Sequence, residues 1–129
     1  MSVQEIQSLT QQLCDAFNRK DLKTALNMLS DDLEVFDHVP YRFDNKQQFA
    51  DFMAAGLDLA SGLFSFRQPS YRVFGENVGI VNAYDTFAGQ MKDGKALNIH
   101  GRTTLVFVKQ KGEWKIVSAH FSPMPHGGP

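Results

Sequence analysis

Residues Ile99–Pro125 read IHGRTTLVFVKQKGEWKIVSAHFSPMP. Two runs rich in β-branched and aromatic residues flank Lys111-Gly112, a dipeptide that is typical of a turn. The single tryptophan of the chain, Trp114, follows the turn, and prolines close the stretch. This segment predicts a hairpin that forms the last two strands of an antiparallel sheet.

Two further long runs of strand-forming residues precede this hairpin, so the second half of the chain predicts a four-stranded meander. Its strands are expected at Leu63–Phe74, Val78–Met91, Ala96–Lys109 and Trp114–Ser122. Pro69 lies inside the first run, which favours a sheet edge or a bulge there. Asp93-Gly94 is a strong hairpin signal between the second and third runs.

The first half of the chain has helical periodicity instead. Apolar residues recur at three- and four-residue steps and predict a first helix at about Val3–Arg19. Asp21 is a plausible N-cap for a short second helix that extends to Leu29 and is ended by Ser30-Asp31-Asp32.

One strand and a third helix are predicted between these helices and the meander. Leu33–Val39 indicates a strand, and Pro40 ends it. Asn45 is expected to cap the third helix, whose buried face consists of Phe49, Phe52, Met53, Gly56 and Leu57.

This order of elements predicts an α+β fold, because helices come first and strands follow as a block. We expect a curved antiparallel sheet that wraps, as a cone, around the three helices and leaves a pocket on its concave side. The chain of 129 residues suits a single domain spanning 1–129, with 123–129 as a C-terminal tail.

Composition excludes several classes of protein. Thirteen basic and fourteen acidic residues give a net charge of −1 without a basic stripe, so we expect no nucleic-acid partner. No apolar run approaches the roughly 18 residues of a membrane span. Cys14 is the only cysteine, which excludes a disulfide framework and a thiolate metal cluster. The start MSVQEIQSL lacks the features of a signal peptide, so we expect a cytoplasmic protein. We also expect no cofactor and no bound metal.

The register of the Asp93-Gly94 hairpin decides which residue faces Asp85. A two-residue turn places Asp85 opposite Arg102, where the two could form an ion pair. A three-residue turn with Gly94 in a bulge places Asp85 opposite Gly101 instead. The residues alone leave both registers open.

The chain resembles the SnoaL-like and ketosteroid-isomerase-like proteins of the nuclear transport factor 2 superfamily. The resemblance rests mainly on Gly101-Arg102-Thr103-Thr104, on Lys111 to Val117 and on His120-Phe121-Ser122. Pro69 and Val73–Asn77 are also similar to the association (hub) domain of calcium/calmodulin-dependent protein kinase. The resemblance implies the cone-shaped fold, a pocket, and a homodimer formed through the sheet, with higher oligomers left open.

The hub resemblance also implies which side chains face the pocket, and it favours bulged turns at both hairpins. The inward set is Asp85, Phe87, Thr103, Leu105, Val117, Ala119 and Phe121. The outward set is His100, Arg102, Trp114, Ser118 and His120. Three basic positions of the hub pocket fall on Asp85, Leu105 and Phe121 here, so an anionic ligand of the hub type is not expected.

Two groups of residues are candidates for chemistry. Asp85 among Phe87, Leu105 and Phe121 would be a desolvated carboxylate, the kind of group that serves as a general base. Asp37 and His38, close to Tyr41, could supply an acid, a base and an oxyanion donor. The alternative for Asp85 is a structural pair with Arg102, and for Asp37 and His38 a solvated strand end.

Two functions follow from these candidates. The first is an enzyme that uses Asp85, with Asp37 or Tyr41, to abstract a proton next to the carbonyl of a small apolar ligand. The second is a binding or assembly module that forms a dimer or ring through the outer face of its sheet. Apolar residues on both faces of the sheet favour an oligomer in either case.

Overall fold

The computed structural model describes residues 2–38 and 42–124 of the chain. It contains three helices: α1 at Ser2–Asn18, α2 at Leu22–Asn27 and α3 at Lys46–Leu59. Each of the last two begins at a predicted cap. Asp21 accepts a hydrogen bond from the Thr24 backbone N–H at 3.1 Å, and Asn45 accepts one from the Gln48 backbone N–H at 2.9 Å. These side chains satisfy amide groups that have no partner within the helix.

Five strands form one curved sheet. They are β1 at Leu29–Phe36, β2 at Ala60–Phe74, β3 at Val78–Met91, β4 at Ala96–Gln110 and β5 at Glu113–Pro123. Their order in the sheet is β1-β5-β4-β3-β2, so the last four strands are the predicted meander. The predicted α+β fold is confirmed. β1 pairs with β5 in parallel, however, so the sheet is mixed rather than wholly antiparallel.

The core lies between the helices and the inner face of the sheet. Its largest fully buried side chains come from α1, β1, β4 and β5, namely Ile6, Leu33, Leu105, Phe107 and Ile116. Gly79 allows α1 to approach β3, because a Cβ atom there would lie 2.9 Å from the side chain of Ile6. α3 packs mainly against β1.

The predicted boundary between the second helix and the first strand is wrong. Leu29 was expected in the second helix, and Ser30-Asp31-Asp32 at its end, but all four residues belong to β1. The Ile116 backbone N–H donates to the Met28 carbonyl at 2.9 Å and so joins the start of β1 to β5. Pairing with a distant strand therefore overrides the local preference of these polar residues for a turn.

The first hairpin has the bulged register. Asp85 lies opposite Gly101 and Tyr84 opposite Arg102. The Met91 backbone N–H donates to the Lys95 carbonyl at 2.8 Å, so the turn itself consists of three residues, 92–94. Gly94 has φ +92°, a conformation that L side chains rarely adopt. Pro69 likewise lies within a register shift between Arg67 and Ser70, on the edge strand β2, as predicted.

The second hairpin is tight, which corrects the expected bulged turn. Gln110 pairs with Glu113 across Lys111-Gly112, and both turn residues have positive φ. The bulge lies instead between Val106 and Phe107, opposite Val117. Before this bulge the side-chain alternation is reversed, so Trp114 is buried in the core rather than facing outward.

Lys20 ends α1 in an unusual way. The Asp21 backbone N–H donates to the Ala16 carbonyl at 2.8 Å, and the Lys20 N–H donates to the Phe17 carbonyl at 3.0 Å. This pair of bonds is a Schellman motif, in which glycine is the preferred residue at the left-handed position. Lys20 holds that position with φ 59°, at a cost of about 1 kcal/mol.

Candidate functional site

A mostly apolar cavity of about 330 Å³ lies between the helices and the concave side of the sheet. Six phenylalanines line it: Phe17, Phe49, Phe52, Phe64, Phe87 and Phe121. Aliphatic side chains from α3 and β4 complete the apolar wall. All five residues of the predicted apolar face of α3 line this cavity, which explains why Phe52 keeps partial exposure. The size and lining are those of sites for small organic molecules.

Asp85 is the most deeply placed polar group of the cavity. Its side chain points inward from β3 in the same direction as Phe87, because residues two apart on a strand share a face. Asp85 is only 4% exposed. The Thr103 hydroxyl donates to its Oδ2 at 2.5 Å. Within the described residues, no lysine or arginine lies within 4 Å of this carboxylate.

Gly101 makes room for this carboxylate. It is the cross-strand partner of Asp85, and a Cβ atom there would lie 3.0 Å and 3.2 Å from the two carboxylate oxygens. The same Cβ would lie 2.7 Å from the Ser122 carbonyl. From the sequence, Gly101 stands out only as part of the motif Gly101-Arg102-Thr103-Thr104, because its role depends on the hairpin register.

Asp37 is the second carboxylate of the cavity. It directly follows β1, and its Oδ1 accepts a hydrogen bond from the His38 backbone N–H at 2.6 Å. Burial raises the pKa of Asp37 above its usual value, and the charge of Asp85 raises it further. The hydrogen bond from His38 opposes this increase. Asp85 is therefore close enough to Asp37 for its charge to act on the Asp37 carboxyl group.

The remaining candidates lie in different places. His38 is exposed on the wall of the cavity, and Phe121 faces the cavity from β5. Thr103 acts through its bond to Asp85, while Leu105, predicted to line the pocket, packs in the core behind it. Tyr41 lies outside the described residues.

Arg102 does not neutralise Asp85. It is exposed on the opposite face of the sheet, across from Tyr84. His100 and His120 are exposed as well. Among residues 2–38 and 42–124, no three histidine, cysteine or acidic side chains cluster as a metal site. In the same ranges, no helix is long and apolar enough to cross a membrane.

The ionisation of Asp37 should reduce stability at neutral pH. Because its pKa is higher in the folded state than in the unfolded chain, folding favours the protonated acid. The folded state has its full stability below the unfolded pKa of Asp37, where the acid is protonated in both states. Stability then falls as the pH rises through the folded pKa. We expect Asp37→Asn to unfold at an increasingly higher temperature than the wild type as the pH rises, with a plateau above the folded pKa.

Thermal unfolding measured from about pH 4 to pH 8 checks this prediction. Asp58→Asn is the matched control, because Asp58 is an exposed acid on α3 outside the cavity. A constant difference between Asp37→Asn and the wild type across this range would contradict the prediction.

This α+β arrangement, a curved sheet covered by helices, is that of proteins with a cystatin-like fold. The SnoaL-like domain model matches residues 6–126, so the chain belongs to the SnoaL-like domain family. No curated protein sequence matches this chain.

Solved structures share the fold. The chain is similar to a ketosteroid isomerase-like protein from Erwinia carotovora, with 14% identity, a TM-score of 0.85 and coverage of 95% of this chain and 96% of that chain. The association domain of C. elegans CaMKII is 20% identical, with a TM-score of 0.72 and coverage of 92% and 93%. An NTF2-like protein of unknown function in nutrient uptake from Rhodospirillum rubrum is 28% identical, with a TM-score of 0.79 and coverage of 93% and 98%.

Proposed function

We propose that this protein binds a small apolar molecule with a carbonyl group and catalyses proton transfer next to that carbonyl, as in an isomerisation or cyclisation. The observation that supports this most is the buried Asp85 carboxylate, which has no cationic partner among the described residues and faces an apolar cavity. Such a carboxylate is poorly hydrated and is therefore a reactive base.

Each carboxyl group has a distinct role in the proposed reaction. Asp85 Oδ1 removes a proton from the carbon next to the carbonyl, while Thr103 holds Oδ2. The C–H electron pair forms a carbon–carbon double bond, and the carbonyl becomes an enolate. Asp37, when protonated, donates a hydrogen bond to the enolate oxygen, and the burial that raises its pKa increases the protonated fraction at a given pH. Asp85 then returns the proton to the same carbon or to another carbon of the enolate. In D₂O the carboxyl proton of Asp85 exchanges with solvent before this return in part of the turnovers, so deuterium is placed on the carbon.

Exchange of the α-protons of 2-tetralone in D₂O, followed by NMR, tests this proposal. This bicyclic ketone suits an apolar cavity and needs no second reactant. We expect the wild type to accelerate exchange and Asp85→Asn to reduce the protein-catalysed rate about 100-fold, because the amide cannot accept the proton.

Asp58→Asn is the control and should exchange at the wild-type rate, since it removes an exposed acid outside the cavity. The proposal fails if the wild type gives no acceleration over buffer, or if Asp85→Asn retains the full rate.

A second proposal is a homodimer formed through the outer face of the sheet. Phe36 and Tyr84 are 52% and 42% exposed, and half-buried Ile80 and Val106 lie opposite each other on the same face as Tyr84. Apolar side chains on a face that no element of the described chain covers favour a protein partner. The kinase association domain with the same fold supports assembly of this kind.

Light scattering coupled to size-exclusion chromatography checks this proposal. We expect a wild-type mass of at least twice that of the chain, and a monomer for Tyr84→Asp, which buries a charge in the interface. Lys92→Asp, in the exposed turn between β3 and β4, should keep the wild-type mass. A monomeric wild type would refute the dimer.

A further inference from the structure

Lys20 provides the only lysine or arginine side chain on the described wall of the cavity. The residue is exposed, so it lies at the opening of the cavity, in the turn between α1 and α2. Its Nζ lies 3.1 Å from the Ser61 Oγ and 3.3 Å from the Leu57 carbonyl. Both partners are uncharged, and within the described residues no carboxylate lies within 4 Å of the ammonium. Its charge is therefore not neutralised, and one of its three N–H donors remains for a ligand.

The backbone at Lys20 points to a use for this side chain. Lysine occupies the left-handed position of the Schellman motif, where glycine would be free of strain. Strained backbone of this kind tends to occur at functional positions. At this position lysine is therefore less favourable for the local backbone than glycine would be.

Lys20 and Asp85 lie toward opposite ends of the cavity. Lys20 contacts Ser61, and Asp85 pairs with Phe66, five residues further along β2. With the usual rise per residue of a strand, Ser61 and Phe66 lie about 16 Å apart along β2. Phenylalanine and aliphatic side chains make up most of the cavity wall.

We infer that Lys20 binds a carboxylate at one end of an elongated apolar ligand whose carbonyl end reaches Asp85. This inference rests on the proposed function and adds a substrate class to it, namely apolar acids with a remote carbonyl. The three basic positions of the hub pocket are not basic here, which is why an anionic ligand of the hub type was not expected. The cation at this site comes from a helical turn and not from the sheet.

Two fluorescent probes with the same apolar body separate the charge from the cavity. 8-Anilinonaphthalene-1-sulfonate carries an anionic group, and N-phenyl-1-naphthylamine lacks it. We expect Lys20→Gln to weaken binding of the sulfonate about fivefold and to change binding of the neutral probe less than twofold. Added salt should weaken binding of the sulfonate probe to the wild type, and it should change neither binding of the neutral probe nor binding to Lys20→Gln.

Four further variants make the test specific. Lys20→Arg retains the charge and should retain sulfonate binding. Lys23→Gln removes an exposed lysine on α2 outside the cavity and should have no effect. Leu97→Trp fills the cavity and should abolish binding of both probes. Lys20→Gly relieves the backbone strain, so it should unfold at no lower temperature than Lys20→Gln while binding the sulfonate equally weakly.

The outcomes distinguish this inference from the proposed function. If the neutral probe binds the wild type and Lys20→Gln leaves sulfonate binding unchanged, or weakens both probes equally, the role of Lys20 is refuted and the apolar site stands. If neither probe binds the wild type, the apolar binding site and the role of Lys20 are both refuted.

Discussion

Replacing Gly101 by alanine is expected to lower the free energy of unfolding by about 3 kcal/mol. The added Cβ would lie 2.7 Å from the Ser122 carbonyl and 3.0 Å from Asp85 Oδ1. The first contact is with the backbone of the neighbouring strand, which cannot move without disturbing the pairing of β4 with β5. Urea denaturation, followed by circular dichroism, gives the change in unfolding free energy.

A double-mutant cycle with Asp85→Ala separates the two contacts of this Cβ. Removal of the carboxylate relieves one contact and leaves the clash with Ser122, so Gly101→Ala should cost less in the Asp85→Ala background. A cost of Gly101→Ala below about 0.5 kcal/mol in the wild type would show that the strands separate easily at this point.

Phe107→Ala is expected to cost about 4 kcal/mol of unfolding free energy. Phe107 is 0% exposed and lies on β4 between Gly79 and Ile116 of the neighbouring strands. Because Gly79 has no side chain to fill the space that the ring leaves, the mutation should create a cavity beneath α1. Urea denaturation measures this loss, and an unchanged m-value would show that the shift in midpoint reports a change in stability.

Phe74→Ala is the matched control for this prediction. Phe74 is 46% exposed at the end of β2, where its ring contacts the Arg72 guanidinium at 4.8 Å. Its loss should cost less than about 1 kcal/mol. Equal costs for the two phenylalanines would contradict the assignment of Phe107 to the centre of the core.

Much of the fold could be predicted because local chemistry determines it. Asp21 and Asn45 mark the starts of α2 and α3, and Asp93-Gly94 marks the hairpin between β3 and β4, although not the length of its turn. The parallel pairing of β1 with β5 has no local signal, because it depends on contacts between residues far apart in the chain. The bulge at Val117 also lacks one, since no glycine marks it, and it reversed the expected orientation of Trp114.

The candidate site was less accessible to sequence analysis. The period of two along a strand placed Asp85 and Phe87 on one face, but the depth of Asp85 and its bond to Thr103 depend on the hairpin register. Lys20 had no recognisable signal, because a lysine at the end of a helix is ordinary until its backbone conformation and neighbours are known. Neither the role of Gly101 nor that of Lys20 follows from composition or periodicity.

The parallel pairing of β1 with β5 has a consequence for the time at which the site forms during synthesis. Leu29 pairs with Ile116, 87 residues later in the chain, and closure of so long a loop is slow. During translation β1 has only a local bridge between Val35 and Phe43, and it has no strand to pair with in the sheet until β5 has left the ribosome. Since Asp37 directly follows β1, we expect the two carboxyl groups to meet only after β5 has been synthesised. Nascent chains and folding intermediates that lack β5 should therefore contain the hairpin that carries Asp85 without its acidic neighbour.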